Sequence, residues 1–473
     1  MRLSARWAPT ALLLLVPLIS GAGMSSQAAM SDDVRSNGDA DLSGDLVRDL
    51  SGDLGRDLGG DVRRSGDAGL DGDGGLGGDL GSAGATAGAR QVPVPVERSV
   101  SAIPGQYIVT LKPAFSAATV VRQLGVKPLF TYGTALRGFA AALTGDQLRA
   151  VRAFPAVQAI EENARISVGS PAAVRARSGE KAVGKAVGKA VKKAVGKAVK
   201  AESWGLDRID QRKLPLDNDF TVTGTGSGVT AYIVDSGIET AHSEFGGRAT
   251  VGFDAIGDGR NGQDCHGHGT HVAGTTGGAT YGVARSASLV AVRVLNCQGK
   301  GDWAGVIAGF DWVAANARQP AVLNASIGGS SSTAVDSAVD AVTAKGVLPV
   351  VAAGNESQDA CGVSPAGATS ALAVGATDKQ DGEARFSNYG RCLTTYAPGV
   401  AIVSAKLGGG SSTLNGTSMA SPHVAGVAAL LKAKYPTASP AELTGWLTKA
   451  STKDVVRPIS TGSPNRLLYT GGL

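Results

Sequence analysis

Apolar positions divide the C-terminal part of the chain into alternating strands and helices. From Trp204 onward, short continuous apolar runs rich in valine and alanine alternate with longer segments of helical spacing. Continuous apolar strands separated by helices are typical of a parallel sheet that helices cover on both faces. We therefore expect one α/β domain over residues 204–473. Its predicted strands are residues 228–234, 287–294, 321–325, 346–353 and 371–375, and its predicted helices are residues 270–277, 303–317 and 333–345.

A smaller unit precedes this domain and has a mixed α+β pattern. Thr144 and Gln147 form a capping-box pattern at the start of a helix that runs to Phe154. The order of elements predicts a ferredoxin-like β-α-β-β-α-β unit over residues 104–168. It contains no obvious catalytic group, which favours a binding or folding role. Its predicted strands are residues 105–112, 136–143 and 157–168, and its other helix is residues 115–124.

Three further segments differ from both units in composition. Residues 1–29 combine early arginines, an apolar run and small residues, which predicts a secretory signal and an exported, extracellular protein. Residues 30–103 are rich in glycine and aspartate and predict disorder, with a calcium-binding repeat as the less favoured alternative. Residues 169–203 repeat Lys-Ala-Val and predict a solvated basic linker, because glycines and like charges weaken a helix there.

Charge and hydropathy limit the partners of the chain. The net charge of +5 combines an acidic and a basic segment, so it indicates no particular partner. No aromatic residues interleave the lysines of the linker, which disfavours nucleic-acid binding. After the signal, no segment is long and apolar enough to cross a bilayer, so we expect no membrane partner. Four cysteines in an exported protein suggest two disulfides, and three pairings are open: the residues are Cys265, Cys297, Cys361 and Cys392.

One serine stands at an unusual position for packing. Ser418 follows a Gly-rich loop and opens a helix of small apolar residues, with Pro422 expected in its first turn. The positive end of the helix dipole and free backbone N–H groups favour an oxygen that develops negative charge. An ordinary helix N-cap serine is the competing interpretation.

An acid and an imidazole occupy comparable positions at the ends of other elements. Asp235 ends the buried strand before Ser-Gly-Ile, and His268 opens a helix. A carboxylate, an imidazole and a hydroxyl on rigid element ends are what nucleophilic acyl transfer requires. A zinc site on His266, His268 and His271 is the alternative, but their one adjacent carboxylate is that of Asp264, and His271 is expected to point into the protein interior.

These segments resemble the motifs of subtilisin-like serine proteases, in the branch of proteinase K and aqualysin. The motifs are Asp-Ser-Gly at 235–237, His-Gly-Thr-His-Val-Ala-Gly at 268–274 and Gly-Thr-Ser-Met-Ala-Ser-Pro-His at 416–423. The resemblance implies a three-layer subtilisin-like fold with a mostly parallel central sheet. It also implies a serine endopeptidase that hydrolyses peptide bonds through an acyl-enzyme formed by Asp235, His268 and Ser418. His266 would then be a bystander, and His423 would be structural.

The same resemblance implies further roles at the site. Asn355 would donate to the oxyanion, with a plain turn residue as the alternative. A more distal subsite would lie near Trp303, with a core or surface aromatic as the alternative. Small walls would admit large apolar side chains of protein and peptide substrates at the residue before the cleaved bond. The implied substrate-binding segments are Ser326, Ile327 and Gly328 on one side and Ala352, Ala353 and Gly354 on the other.

Cysteine pairing and calcium are also implied by the resemblance. Cys265 would pair with Cys297, and Cys361 with Cys392. No catalytic metal is expected, and a second calcium site of the family is not expected because Thr394 stands where relatives have an aspartate. A solvated acidic turn is the alternative to a structural calcium, which would be bound by Asp207, Asp210, Gln211, Asp217 and Asp219.

The N-terminal unit over residues 104–168 resembles the inhibitory propeptide of the family. It would act as intramolecular inhibitor and as chaperone for a sheet whose long-range pairings form slowly. We expect a monomer whose first self-cleavage falls around residues 168–173, followed by trimming of the linker. A catalytically inactive peptide-binding relative would need a broken triad or oxyanion position, and none is broken. A metallohydrolase is the other rival.

Overall fold

The structure of the protein is a computed structural model that describes residues 92–168 and 198–473. The expected signal segment, most of the Gly/Asp-rich segment and most of the Lys-rich linker lie outside the described residues, so their interpretation stays a prediction. In the described part, no helix reaches the length and apolar character that crossing a bilayer requires.

The N-terminal unit is one mixed sheet with two helices. The strand order is β1-β5-β2-β4-β3, with β1 parallel to β5 and the other pairs antiparallel. The capping box of Thr144 and Gln147 is present at the start of its second helix. The elements are β1 Val96–Glu97, β2 Ala102–Leu111, α1 Ala117–Gln123, β3 Pro128–Tyr132, β4 Gly138–Ala142, α2 Gly145–Arg152 and β5 Val157–Ser167.

This unit begins earlier in the chain than the expected boundary at residue 104. Val94 donates its N–H to the carbonyl of Arg152, and Val96 pairs with Ile160 of β5. Val94 and Val96 also pack against the core of the unit. Alternating prolines mask a strand pattern in this stretch, because proline lacks the N–H that a strand donates.

The C-terminal domain contains the remaining strands and helices. They are β6 Val199–Lys200, α3 Trp204–Asp210, β7 Asp219–Phe220, β8 Thr230–Asp235, β9 Ala249–Asp254, α4 His268–Gly277, β10 Ser288–Arg293, β11 Lys300–Asp302, α5 Trp303–Asn316, β12 Ala321–Ala325, β13 Gly329–Ser330, α6 Thr333–Ala344, β14 Leu348–Ala352, β15 Val363–Ser364, β16 Leu372–Thr377, β17 Thr395–Pro398, β18 Ile402–Ala405, β19 Ser411–Leu414, α7 Thr417–Lys434, α8 Pro440–Ala450, β20 Thr452–Lys453 and β21 Arg466–Leu467.

A nine-stranded sheet forms the centre of this domain. Its order is β20-β21-β17-β16-β14-β12-β8-β10-β9, and every pair except β20 with β21 is parallel. Helices α5 and α6 bury apolar residues on one face, and α4 and α7 do so on the other. This arrangement confirms the predicted three-layer α/β class. Strands β9 and β10 lie on one side of β8 and β12 lies on the other, so the strand order reverses at β8 and a crevice opens at its carboxyl end.

The N-terminal unit docks on α5 and α6 through helix termini. Glu161 accepts hydrogen bonds from the Ser332 hydroxyl and the Ala334 N–H, both at 2.7 Å, at the start of α6. Asn163 accepts the Ala304 N–H at 3.0 Å at the start of α5. These acceptors satisfy donors that a helix N-terminus leaves free. In the other direction, Asp311 of α5 accepts three successive backbone N–H groups from residues 133–135.

Two disulfides tie loops to this framework. Cys265 is bonded to Cys297, and Cys361 is bonded to Cys392. This is the pairing that the resemblance implied. The first disulfide joins the loop before α4 to the turn before β11.

Replacing both Cys361 and Cys392 by serine should lower the free energy of unfolding by about 3.5 kcal/mol, because the disulfide restrains a loop of about 30 residues in the unfolded chain. The midpoint and slope of guanidinium unfolding, followed by tryptophan fluorescence, measure this loss. The double variant Cys265→Ser, Cys297→Ser is the matched control, because the disulfide that it removes closes a loop of nearly equal length. Its free energy of unfolding should fall by a similar amount. An unchanged midpoint in both double variants would contradict the chain-entropy account.

Candidate active site

A buried carboxylate and an imidazole meet at the carboxyl end of β8. Asp235 is the last residue of β8 and is fully buried, and His268 is the first residue of α4. Nδ1 of His268 lies 2.8 Å from Oδ1 and 2.9 Å from Oδ2 of Asp235. The carboxylate therefore fixes the tautomer in which Nδ1 carries the proton and Nε2 is the acceptor.

The charges around His268 favour its protonated form. Burial opposes protonation, but the negative charge and hydrogen bond of Asp235, with a further contribution from Asp264, outweigh it and raise the pKa of His268 above its ordinary value. Asp264 is itself buried and accepts the hydroxyls of Ser236 and Thr270, at 2.9 and 2.7 Å. This second carboxylate joins the end of β8 to the start of α4.

Ser418 is the second residue of α7, at the mouth of the same crevice. The preceding Gly416 has φ of 148°, a conformation that side chains with a Cβ rarely adopt, so glycine shapes the turn into the helix. The Ser418 hydroxyl donates to the carbonyl of Ser326 at 3.2 Å. It therefore faces Ser326 here, while His268 lines the same cavity. Hydrogen bonds between catalytic groups commonly tighten only when substrate binds.

Pro422 is the sixth residue of α7, so the expectation that it lies in the first turn is wrong. A helix interior needs the N–H that proline lacks, and the carbonyl left without that donor is the one four residues earlier, on Ser418. That carbonyl accepts the Ser326 hydroxyl at 2.8 Å.

Asn355 lies in the loop after β14, and hydrogen bonds to its side-chain oxygen fix the orientation of its amide. Oδ1 accepts both the N–H and the hydroxyl of Thr417, at 2.8 and 2.9 Å. The amide NH₂ therefore points away from Thr417, and Asn355 lines the cavity beside Ser418. An amide donor held next to a hydroxyl can stabilise negative charge on a reacting oxygen.

The cavity has a volume of about 410 Å³ and is bounded by two backbone segments. Ser326, Ile327 and Gly328 form one wall, and Ala352 and Gly354 form the other. Ala353 was expected in the second wall but does not line the cavity: it is fully buried in the core. Successive residues of an extended segment point to opposite sides, which explains why the middle residue turns inward.

The last strand of the N-terminal unit enters this cavity. Residues 165–167 of β5 pair antiparallel with β11, and the Val168 N–H donates to the carbonyl of Gly299 at 2.9 Å. Ser167 and Val168 line the cavity together with His268 and Ser418. An extended peptide that adds a strand to an exposed edge is a common mode of peptide recognition.

Ile166 occupies a position further along the groove. A Cβ on Gly329 would lie only 2.9 Å from the side chain of Ile166 and 2.9 Å from that of Trp303, so the glycine permits this close packing. Trp303 is almost fully buried and donates its ring N–H to the carbonyl of Ser330. Trp303 thus lies in the core beside the side chain of Ile166, and a distal subsite near it stays a prediction.

The other histidines are not brought together as a metal site. His271 is fully buried, its Nε2 lies near the carbonyls of Ile402 and Ser412, and burial lowers its pKa to about 3. His423 is also fully buried, with Nδ1 2.8 Å from the carbonyl of Met419 and a pKa lowered to about 4 by burial. In residues 92–168 and 198–473, the sole grouping of three metal-ligand side chains is Asp258 with the disulfide-bonded Cys265 and Cys297.

The acidic loop that was expected to bind calcium is closed by its own hydrogen bonds. Asp207 accepts the N–H groups of Asp217 and Asn218, at 3.3 and 2.7 Å, and Asp210 accepts that of Thr221. The Gln211 amide donates to the carbonyl of Pro215, and Asp217 accepts the Asp219 N–H. Within the described part of the chain, no three of these carboxylates bring oxygens within 4.8 Å of one another.

This loop nevertheless carries uncompensated negative charge. Burial, followed by the charges of Asp207 and Asp217, raises the pKa of Asp210 to about 6. Burial also raises the pKa of Asp207. Clustered hard oxygen donors of this kind suit calcium, which would neutralise them.

Sequence reasoning missed several residues of the cavity. Glu356 lines it and accepts the N–H of Asn355 at 2.8 Å and the amide of Asn388 at 3.0 Å. Phe386 and Leu414 line it from distant positions in the chain. Glu356 could have been found from its place next to Asn355, whereas no local pattern marks Phe386 or Leu414.

Two family models match the chain. The subtilase family model matches residues 226–466, and the peptidase inhibitor I9 model matches residues 106–168. Together they cover the sheet that carries Asp235 and the unit whose last strand enters the cavity.

Named relatives agree with this assignment. An extracellular serine proteinase of Thermus sp. (strain Rt41A) is 44% identical over 414 residues, which are 81% of this chain and 94% of that protein. The alkaline serine exoprotease A of Vibrio alginolyticus is 45% identical over 336 residues, 71% of this chain and 59% of that protein. The crystal structure of a cold adapted subtilisin-like serine proteinase matches with a TM-score of 0.56 and 50% identity, covering 56% of this chain and 97% of that one. The chain therefore belongs to the subtilase family and is a subtilisin-like serine protease with an N-terminal inhibitor I9 propeptide.

Proposed function

We propose that the chain is a secreted serine endopeptidase made as an autoprocessed zymogen, with Asp235, His268 and Ser418 as its catalytic triad. The observation that carries this proposal is the position of Ser167 and Val168 in the cavity lined by His268 and Ser418. A segment held there as an added strand presents its backbone as a peptide substrate would.

The chemistry follows from the roles of the three residues. The Ser418 oxygen attacks the carbonyl carbon of the peptide bond while Nε2 of His268 takes the hydroxyl proton. Asp235 stabilises the imidazolium, and its contact with Nδ1 supports this role. His268 then returns the proton to the leaving amine, and the C–N bond breaks to give an ester on Ser418. Water, deprotonated by His268, hydrolyses that ester and restores the hydroxyl.

Negative charge on the substrate oxygen needs donors that are already in place. The Asn355 amide and the N–H groups at the start of α7 supply them, because the helix terminus leaves such groups free and favours an anion. The binding of Asn355 Oδ1 to Thr417 supports this role, since it turns the amide NH₂ away from Thr417.

The small residues of the two walls support a preference for large apolar side chains before the cleaved bond. Ser326, Gly328, Ala352 and Gly354 leave space between the walls, and their backbones can pair with an extended peptide. We propose broad specificity toward proteins and peptides on this basis.

Secretion and a monomeric state complete the proposal. The name of the Thermus relative, an extracellular serine proteinase, and the sequence pattern of residues 1–29 support export of this chain. The propeptide is its intramolecular inhibitor and folding partner, and no nucleic acid or membrane is required.

Maturation should start with a cut around residues 168–173 and continue by trimming of the Lys-rich linker. The position of Val168 in the cavity that Ser418 lines supports a first cut close to this residue. N-terminal sequencing of a Ser418→Ala precursor mixed with a small amount of active enzyme measures the order of cuts. A single cut at residues 201–204, with no earlier product, would contradict this proposal.

Replacing Asn355 by leucine should lower kcat by about 10²–10³ with little change in KM, a magnitude that was established on the corresponding asparagine of subtilisin and that carries over by family membership. Initial rates on a peptide substrate, normalised by titration with a serine-directed phosphonylating reagent, measure it. Ser418→Ala is the control and should neither hydrolyse the peptide nor react with the reagent. Retained hydrolysis in Ser418→Ala would sink the assignment of the nucleophile.

We also propose that calcium binds as a structural ion at Asp207, Asp210, Gln211, Asp217 and Asp219. The raised pKa values of Asp207 and Asp210 support it: burial raises both, neighbouring carboxylates add to the shift, and a cation would relieve that repulsion. The ion would supply stability and take no part in catalysis.

Calcium should raise Tm by an amount that grows as pH rises from about 4 to 7. The pKa of Asp210 is raised to about 6 in the folded state, so its ionisation destabilises the calcium-free protein as pH rises through that range. Tm with and without millimolar calcium at each pH, measured on Ser418→Ala to prevent self-digestion, tests this. Asp210→Asn should lose most of the calcium effect, whereas Asp340→Asn, on α6, should keep it. Equal Tm values at pH 7 with and without calcium would refute the site.

A further inference from the structure

Helix α7 lacks one backbone hydrogen bond near its start, because Pro422 lies inside the helix. In a regular helix the N–H of residue 422 would donate to the carbonyl of Ser418, and Pro422 has no N–H. The carbonyl of Ser418 lies in the interior, where Ser418 as a whole is only 7% exposed. A buried carbonyl without a donor costs about 1–3 kcal/mol, or the backbone shifts to find one.

A side chain from the sheet supplies the missing donor. The hydroxyl of Ser326, which follows β12, donates to the carbonyl of Ser418 at 2.8 Å. The Ser418 hydroxyl in turn donates to the carbonyl of Ser326 at 3.2 Å. These two reciprocal bonds hold the two residues at two points and so restrict rotation of the turn.

A second buried side chain fixes the orientation of that hydroxyl. Asn324 of β12 donates its amide to Oγ of Ser326 at 2.8 Å, so the hydroxyl proton of Ser326 must point elsewhere, toward Ser418. The Ser421 hydroxyl donates to Oδ1 of Asn324 at 2.7 Å. Asn324, Ser326 and Ser421 are all fully buried. The chain of hydrogen bonds therefore starts and ends in the first turns of α7.

We propose that Ser326 and Asn324 are positioning residues: the Ser326 hydroxyl replaces the N–H that Pro422 lacks and thereby fixes the turn that carries the nucleophile. This inference rests on the proposed role of Ser418. It assigns a task to the side chain of Ser326 that is distinct from the substrate-binding task of its backbone. Misplacement of a reacting group by about 1 Å can cost about 10²-fold in rate.

The proposal makes a prediction about coupling between two positions that are far apart in sequence. Ser326→Ala leaves the Ser418 carbonyl without its donor and should lower kcat by about 10–100-fold, with KM within about twofold of wild type. Pro422→Ala restores a backbone N–H to the helix. The double variant Ser326→Ala, Pro422→Ala should therefore have a kcat at least about tenfold higher than that of Ser326→Ala alone.

Mature enzymes should be compared by kcat and KM on a peptide substrate, normalised by phosphonylating titration. The rate of phosphonylation itself provides a readout that does not depend on peptide binding, and it should follow kcat. Ser451→Ala is the matched control, because Ser451 is a buried serine whose hydroxyl donates to a helix carbonyl, that of Thr448, on α8. It should lower Tm by a similar amount and leave kcat unchanged.

Each outcome decides the question. A Ser326→Ala enzyme with kcat within about twofold of wild type, or a double variant no faster than Ser326→Ala, would overturn the inference. If Ser326→Ala fails to mature, restored maturation in the double variant supports the inference and its absence overturns it. Hydrolysis by Ser418→Ala would instead show that the proposed nucleophile is wrong.

Discussion

The burial of one carboxylate at the end of a central strand constrains much of this protein. Asp235 is fully buried, so its charge is tolerable only where donors surround it. The imidazole of His268 and the N–H of Ser236 provide them, at 2.8 and 2.7 Å. Because β8 lies at the point where the sheet order reverses, this pair sits in the crevice at the carboxyl ends of the strands. The rest of the site is built around its fixed position.

Helix termini are the second recurring device. The beginning of α4 carries His268, that of α7 carries Ser418, and the beginnings of α5 and α6 bind polar side chains of the propeptide. The propeptide thus satisfies donors of two helices, and the end of its last strand lines the cavity. One set of contacts supports both inhibition and the assembly of a parallel sheet whose strands are distant in sequence.

The turn that carries Ser418, the proposed nucleophile, combines two features that conflict locally. Pro422 removes a helix hydrogen bond, yet the turn must be held rigidly for Ser418 to act. The Ser326 hydroxyl resolves the conflict from the neighbouring strand. The rigidity of this turn therefore depends on tertiary structure, because β12 and α7 must be placed so that the Ser326 hydroxyl reaches the Ser418 carbonyl.

The sequence by itself determined the class of the fold, the family and the identity of the chemical groups. Continuous apolar runs predicted β8, β10, β12, β14 and β16 because strands buried on both faces require apolar residues at every position. The motifs around residues 235, 268 and 416–423 indicated an acid, a base and a nucleophile because their residue types suit acyl transfer.

Tertiary structure alone decided which groups meet and which turn away. The seating of Val168 beside Gly299 and the bond from Ser326 to Ser418 join segments that are far apart in the sequence. No local pattern records either of these features. Strands β1 and β3 were missed for a related reason: prolines or short length hide their pattern, and pairing with β5 and β4 stabilises them. Local propensity specifies elements, whereas long-range packing specifies the distances on which chemistry depends.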